Sequence, residues 1–278
     1  MSTATAPATT AGTSPPAAAP TGSLRAAARA AAVVAHRDIV RQLGRPGPVV
    51  SQLLQLVFFL LVYAVGFSGM VGAVDGVPFS AYVFPGILAI QTASGCISSG
   101  MSFAWDREFG FLREMLVAPV PRWSLALGKA AGSIVPCLVQ GTVTMLLAPV
   151  AGVHIGLRGA VLGLAAVAVT AAVFCALGLL AALLFRRVET LQQVVQLLMF
   201  PLLFLSGSVF RPDQVPSWLS TAIWFNPLTY AVDLLRQALI TTPGGGHLPH
   251  LLPAGADLAV LAALIAVLAI GIRRRLGR

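Results

Sequence analysis

The sequence predicts an all-α integral membrane protein with six transmembrane helices, and three observations carry that reading. Hydrophobic residues make up 57% of the 278 and charged residues only 10%, whereas a soluble domain carries about 25% charge. The mean hydropathy is +0.87. Six apolar segments follow one another at 49–71, 79–103, 124–151, 159–185, 190–210 and 255–272. At about 1.5 Å of rise per residue, each is long enough to cross about 30 Å of hydrocarbon. The basic residues, finally, are asymmetric. Fifteen lie before the first segment, in the second-to-third and fourth-to-fifth connections with their flanks, and in the tail; only Arg158, Arg211 and Arg236 lie opposite. That bias places both termini in the cytoplasm, and an even number of spans agrees with it.

Residues 1–23 are small, polar and proline-bearing, without a single charge. They read as a disordered cytoplasmic tail that lacks the basic start and apolar run of a signal peptide. Residues 24–44 turn helical in composition and carry Arg25, Arg29, Arg37 and Arg41. They are predicted to form an amphipathic helix at the membrane interface. Prolines 46 and 48 end that helix, and residues 45–278 form the six-span domain. The fifth span is the weakest, because it opens with Gln192, Gln193 and Gln196 and contains Pro201.

Two connections are more than loops. Between the second and third spans, Asp106 reads as a cap, and Phe109, Leu112 and Leu116 share one helical face with Met115 beside it. Arg107, Glu108, Arg113 and Glu114 surround that face, and Pro119 and Pro121 stop the helix. Such a helix can rest on lipid or dock in a groove of a soluble partner, and its composition fits both. Before the last span, residues 211–241 are too apolar for a free loop and too broken for a span. Asn226 followed by Pro227 reads as an N-cap with proline in the first turn, and Asp233 and Arg236 stand three apart, within pairing distance on that helix. Trp218, Trp224 and Tyr230 suit a membrane interface, so one or two short helices are expected to dip into the outer leaflet.

Within the spans, Ser94/Ser98 and Gly95/Ser99 repeat at intervals of four, a pattern that lets helices approach closely. Gln91, Thr92, Gln140, Thr142 and Thr144 are candidates for a polar path or for interhelical hydrogen bonds. Cys96, Cys137 and Cys175 all lie in apolar runs and read as packing residues. His247 and His250 stand three apart on an external loop, too little support for a metal site.

Several function classes lose ground on these residues. The net charge of +9 is explained by topology, so nucleic acid is not expected as a partner. No phosphate-binding loop occurs: the sequence around Lys129, LGKAAG, lacks both the earlier glycine and the following Ser or Thr. Carboxylates near the middle of a span, needed by most proton-coupled transporters, are missing. An integral membrane enzyme acting on lipid would rest on Asp106, Glu108 and Glu114, an acidic cluster interleaved with arginines that suits ion pairing better.

The DREFGFLREMLVAPVPR connection and the FNPLTYAVDLLRQAL stretch before the last span, together with the order of elements, resemble the ABC type-2 exporter permease family. The nearest resemblance is to daunorubicin-resistance-type multidrug permeases, and it extends over residues 24–278. It implies a non-catalytic permease subunit in the bacterial plasma membrane, working as a homodimer or paired permease within a two-plus-two complex. ATP and Mg would sit on a separate ATP-binding subunit, with no cofactor in this chain. By the same resemblance, residues 106–118 are the coupling helix that docks on that ATPase, through Asp106, Arg107, Glu108, Phe109, Gly110, Leu112, Arg113, Glu114, Leu116 and Pro119. Asn226, Pro227, Tyr230, Asp233 and Arg236 match the motif of the external re-entrant helices. The cargo implied is a hydrophobic or amphiphilic compound, such as a drug or lipid-like molecule; export of a glycan is the alternative.

Overall fold

The computed structural model describes residues 24–44, 46–62, 73–74, 77–108, 122–185, 187–208, 216–240 and 252–276. Nearly all of them are helical. In chain order the helices are α1 (Leu24–Leu43), α2 (Pro46–Leu61), α3 (Phe79–Glu108), α4 (Arg122–Leu146), α5 (Leu157–Leu184), α6 (Val188–Phe204), α7 (Ser217–Phe225), α8 (Pro227–Leu239) and α9 (Ala254–Leu276). The all-α expectation misses one feature. Before α3, β1 (Ala73–Val74) pairs antiparallel with β2 (Val77–Pro78), with Ala73 opposite Pro78 and Val74 opposite Val77.

A helix lies on each of the six apolar segments, with shifted ends. α3 runs past residue 103 to Glu108, so Asp106 belongs to its last turn and does not cap a new helix. α4 stops at Leu146, and Ala148–Ala151 form a 3₁₀ turn. The cause is local. Pro149 has no N–H to continue the helix, and Gly152 takes the left-handed conformation (φ +81°), its N–H donating to the Pro149 carbonyl at 3.0 Å. α6 ends at Phe204, three residues after Pro201. Among the described residues, three helices are long and apolar enough to cross a membrane, within Phe79–Trp105, Leu157–Leu184 and Ala254–Arg275.

α3 and α5 share the largest interface and form the centre of the bundle. Hydrocarbon offers no hydrophobic driving force between helices, so close van der Waals packing must hold them. The crossing is made by two glycines. A Cβ on Gly178 would lie 2.5 Å from the Ile97 carbonyl oxygen, and one on Gly100 would lie 2.7 Å from both the Cys175 oxygen and the Leu179 nitrogen. Of the expected small-residue repeats, Ser94 reaches Met199 of α6 and Ser99 reaches Ser133 of α4. Phe84, Leu88, Val167 and Phe174 belong to the buried core along these two helices, and α8 adds Leu228 and Leu235 to it.

The sulfurs of Cys96 and Cys137 are paired between α3 and α4, their Cα atoms 6.8 Å apart. This corrects the reading of all three cysteines as packing residues; it holds for Cys175, which is free and buried. Facing outward, α2 exposes Leu54, Phe58 and Leu61, α6 exposes Leu197 and Phe200, and α9 exposes Val267 and Ile270. Faces this apolar belong against lipid or another protein surface, not water.

Candidate functional site

A cleft of about 740 Å³ opens between α3 and α6, with Arg41 of α1 at its rim. Its α3 wall is a stripe of Ser94, Ser98 and Ser102, spaced by four so that they stack on one helical face. Ser98 donates to the Ser94 carbonyl at 2.8 Å, and Ser94 donates to the Met199 sulfur at 3.5 Å. The opposite wall carries Gln192, Gln193 and Gln196 of α6, while Met101, Trp105 and Met199 supply the apolar part. Glu189, in the first turn of α6, sits where the positive end of the helix dipole favours a carboxylate. A smaller cleft of about 220 Å³ shares Trp105, Glu189 and Gln192 with the first and adds Glu108, the last residue of α3.

The cleft is therefore amphiphilic along its length and reaches the point where the chain enters residues 109–121. It is not lined by the polar residues named from the sequence as a candidate path. Thr92 and Thr142 donate to the carbonyls four residues earlier in their own helices, at 2.9 and 2.8 Å. Thr144 and Gln91 are buried. The usable signal was the serine stripe and the three glutamines, which read in sequence as close-packing residues and as a weak span.

Of the residues matched to the coupling helix, Asp106, Arg107 and Glu108 close α3, and the Glu108 side chain is exposed. Phe109, Gly110, Leu112, Arg113, Glu114, Leu116 and Pro119 lie outside the described residues. So do the residue 1–23 tail and the His247/His250 pair.

The second motif forms a dense knot. Asn226 Oδ1 accepts from the Leu228 N–H at 2.9 Å, capping α8 with Pro227 at its first turn, while Asn226 Nδ2 donates to the Leu202 carbonyl at 2.8 Å. One side chain thus ties the start of α8 to α6. Thr229 Oγ1 lies within hydrogen-bond distance of the Leu205 and Ile223 carbonyls, and the Tyr230 hydroxyl donates to the Trp224 carbonyl at 2.7 Å. Trp218 and Trp224 face outward.

Asp233 and Arg236 are buried and take different partners. Arg236 donates to the Gly207 carbonyl at 3.1 Å and lies 4.3 Å above the Tyr82 ring, a cation–π contact. Asp233 accepts from the Leu252 N–H at 3.2 Å, and Gln237 bridges the Leu252 carbonyl and Asp257. The motif therefore binds α8 to α3, α6 and the start of α9. Removing the Asn226 cap by Asn226→Ala is expected to cost about 1–2 kcal/mol. The thermal midpoint of the detergent-solubilised chain should fall, and Asn226→Ser, which keeps a cap, should recover part of the loss. Equal midpoints for wild type and Asn226→Ala would contradict this role.

Comparison with known proteins gives a consistent result. The profile of a family described as ABC-2 type transporter matches residues 29–240. Nodulation protein J of Sinorhizobium fredii is 27% identical over 229 residues, which is 82% of this chain and 86% of that protein. The protein named transport permease ycf38 of Cyanophora paradoxa is 27% identical over 208 residues, 73% of this chain and 72% of its own. A protein named as a multidrug ABC transporter permease, YbhR of Escherichia coli K12, is 28% identical over 161 residues, 56% of this chain and 43% of its own.

Proposed function

Because the chain belongs to the ABC-2 type transporter family, and is thus a membrane permease subunit that pairs with an ABC ATP-binding subunit, we propose that it exports an amphiphilic compound through the cleft between α3 and α6. The observation that carries this reading is the character of that cleft. Serine hydroxyls and glutamine amides offer hydrogen bonds to a polar head, while Met101, Trp105 and Met199 accept an apolar body. Methionine adapts to varied shapes, which suits a pathway of broad tolerance. At the mouth Glu108 and Glu189 outnumber Arg41, so a neutral or cationic head is favoured over an anionic one.

The rest of the proposal takes its outline from the resemblance. Six spans, with both termini in the cytoplasm of a bacterial cell, place the α3–α4 connection on the ATPase side. Residues 106–118 dock on the ATPase, α7 and α8 form the external re-entrant pair, and two permease subunits meet two ATPases. ATP binding closes the ATPases and moves the end of α3, where Glu108 and Trp105 border the cleft. The two states must bind the cargo differently for transport to occur. A cleft wall that ends where the docking segment begins meets that need.

The experiment is an ATPase measurement on vesicles containing the chain and its ATP-binding partner, titrated with a lipophilic cationic dye. Stimulation is expected, and in the Gln192→Leu/Gln196→Leu variant the half-saturating dye concentration should rise about tenfold, equivalent to about 1.4 kcal/mol. A wild-type complex that neither responds to the dye nor moves it would sink the amphiphile reading.

A further inference from the structure

We propose that the buried Asp38–Lys129 pair is a clamp that makes α1 a moving part of the transport cycle, positioning Arg41 and Ser102 at the cleft. This rests on the cleft being the working site proposed above. The buried face of α1 is built for contact with α4. Ala31, Val34, Ala35 and Asp38 recur at helical spacing, and they meet Gly128 and Gly132, four apart on α4. A Cβ on Gly128 would lie 2.6 Å from the Ala31 oxygen, and one on Gly132 would lie 3.0 Å from the Ala35 Cα. At this crossing Lys129 and Asp38 are each only 3% exposed. Lys129 Nζ is 3.3 Å from Asp38 Oδ2 and donates to Ser102 Oγ at 2.8 Å. Arg37 holds the other Asp38 oxygen at 3.4 Å. A second strand of the network runs beside it: Gln42 donates to Ser99 at 3.0 Å, Ser99 and Ser133 share a hydrogen bond of 2.7 Å, and Ser133 donates to the Lys129 carbonyl at 2.7 Å.

Two features make this more than packing. Ion pairs in a dry interior hold helices together no better than well-packed apolar residues of the same volume, so stability alone gives little reason for one here. The pair also reaches the cleft on both sides: Ser102 is at once a Lys129 partner and a cleft residue, and Arg41 follows Asp38 by one helical turn. The network grips the last turns of α3 and the first turns of α4, the two helices joined by residues 109–121. A displacement entering through that segment is therefore passed to α1 by the clamp.

The test uses the complete complex with Arg41→Cys as a reporter, labelled by a charged thiol reagent without nucleotide and after trapping with ATP and vanadate. The native cysteines are buried (Cys96 0%, Cys137 6%, Cys175 1% exposed), so the reagent reads the new one. With the clamp intact, the labelling rate should differ at least fivefold between the two states. In Asp38→Asn/Lys129→Met, which leaves no buried charge unpaired and so keeps the chain foldable, the difference should fall below twofold. Lys129→Arg should restore it. A difference that persists in the double variant, or is missing with the clamp intact, overturns the proposal. Failure of dye stimulation alone would sink the amphiphile reading and leave this measurement standing.

Discussion

Leu112→Arg should leave the chain inserted in the membrane yet abolish its association with the ATPase, with loss of all stimulated ATP hydrolysis. The face formed by Phe109, Leu112 and Leu116 is proposed to enter a groove on the soluble partner. A guanidinium forced into that contact loses hydration without gaining a partner, a penalty on the order of 3 kcal/mol or more. That corresponds to at least a hundredfold in affinity. The same substitution on a helix resting at the lipid surface would be mild, since arginine can extend to the headgroups there. Co-purification of the ATPase with wild type and Leu112→Arg therefore separates the two roles of residues 106–118. A variant that still brings down the ATPase in wild-type yield would rule out docking through this face.

Gly178→Val should prevent the bundle from forming. The new Cβ would meet the Ile97 carbonyl oxygen at 2.5 Å and the Ile97 Cα at 2.9 Å. Both are backbone atoms of α3, which cannot step aside as a flexible side chain would. The helices must separate, and Gly100, which meets the backbone of Cys175 and Leu179, loses its contact too. Close packing is the principal attraction between helices in lipid, so a loss above about 4 kcal/mol is expected. The measurement is the yield of monodisperse protein in detergent, with Ala165→Val, on the exposed side of the same helix, as the control. Equal yields for the two variants would refute the crossing as the determinant of the fold.

These outcomes bear on different kinds of information in the chain. Helix positions were legible because apolar length and composition are local properties. The cap at Asn226 was legible for the same reason: an Asn–Pro pair acts on backbone groups within two residues. The end of α4 falls short of the 124–151 segment because Pro149 and Gly152 break the helix over a few residues, a stretch that a hydropathy window averages away. Asp106 was misread as a cap because the α3 helix keeps its hydrogen bonds through the polar turn that follows the apolar run.

What composition and spacing cannot encode is which helical faces meet. Asp38 and Lys129 are 91 residues apart in sequence, and in isolation one reads as a charge on the interfacial helix and the other as a charge near the end of a span. The pairing of Cys96 with Cys137, the Gly100–Gly178 crossing and the choice of serines and glutamines for the cleft wall arise in the same way. A residue's own sequence neighbours decide its helix and its cap, since those depend on contacts within one turn. Its partner is decided by rotation and close approach of whole helices, where a missing Cβ or a buried charge matters more than average hydropathy.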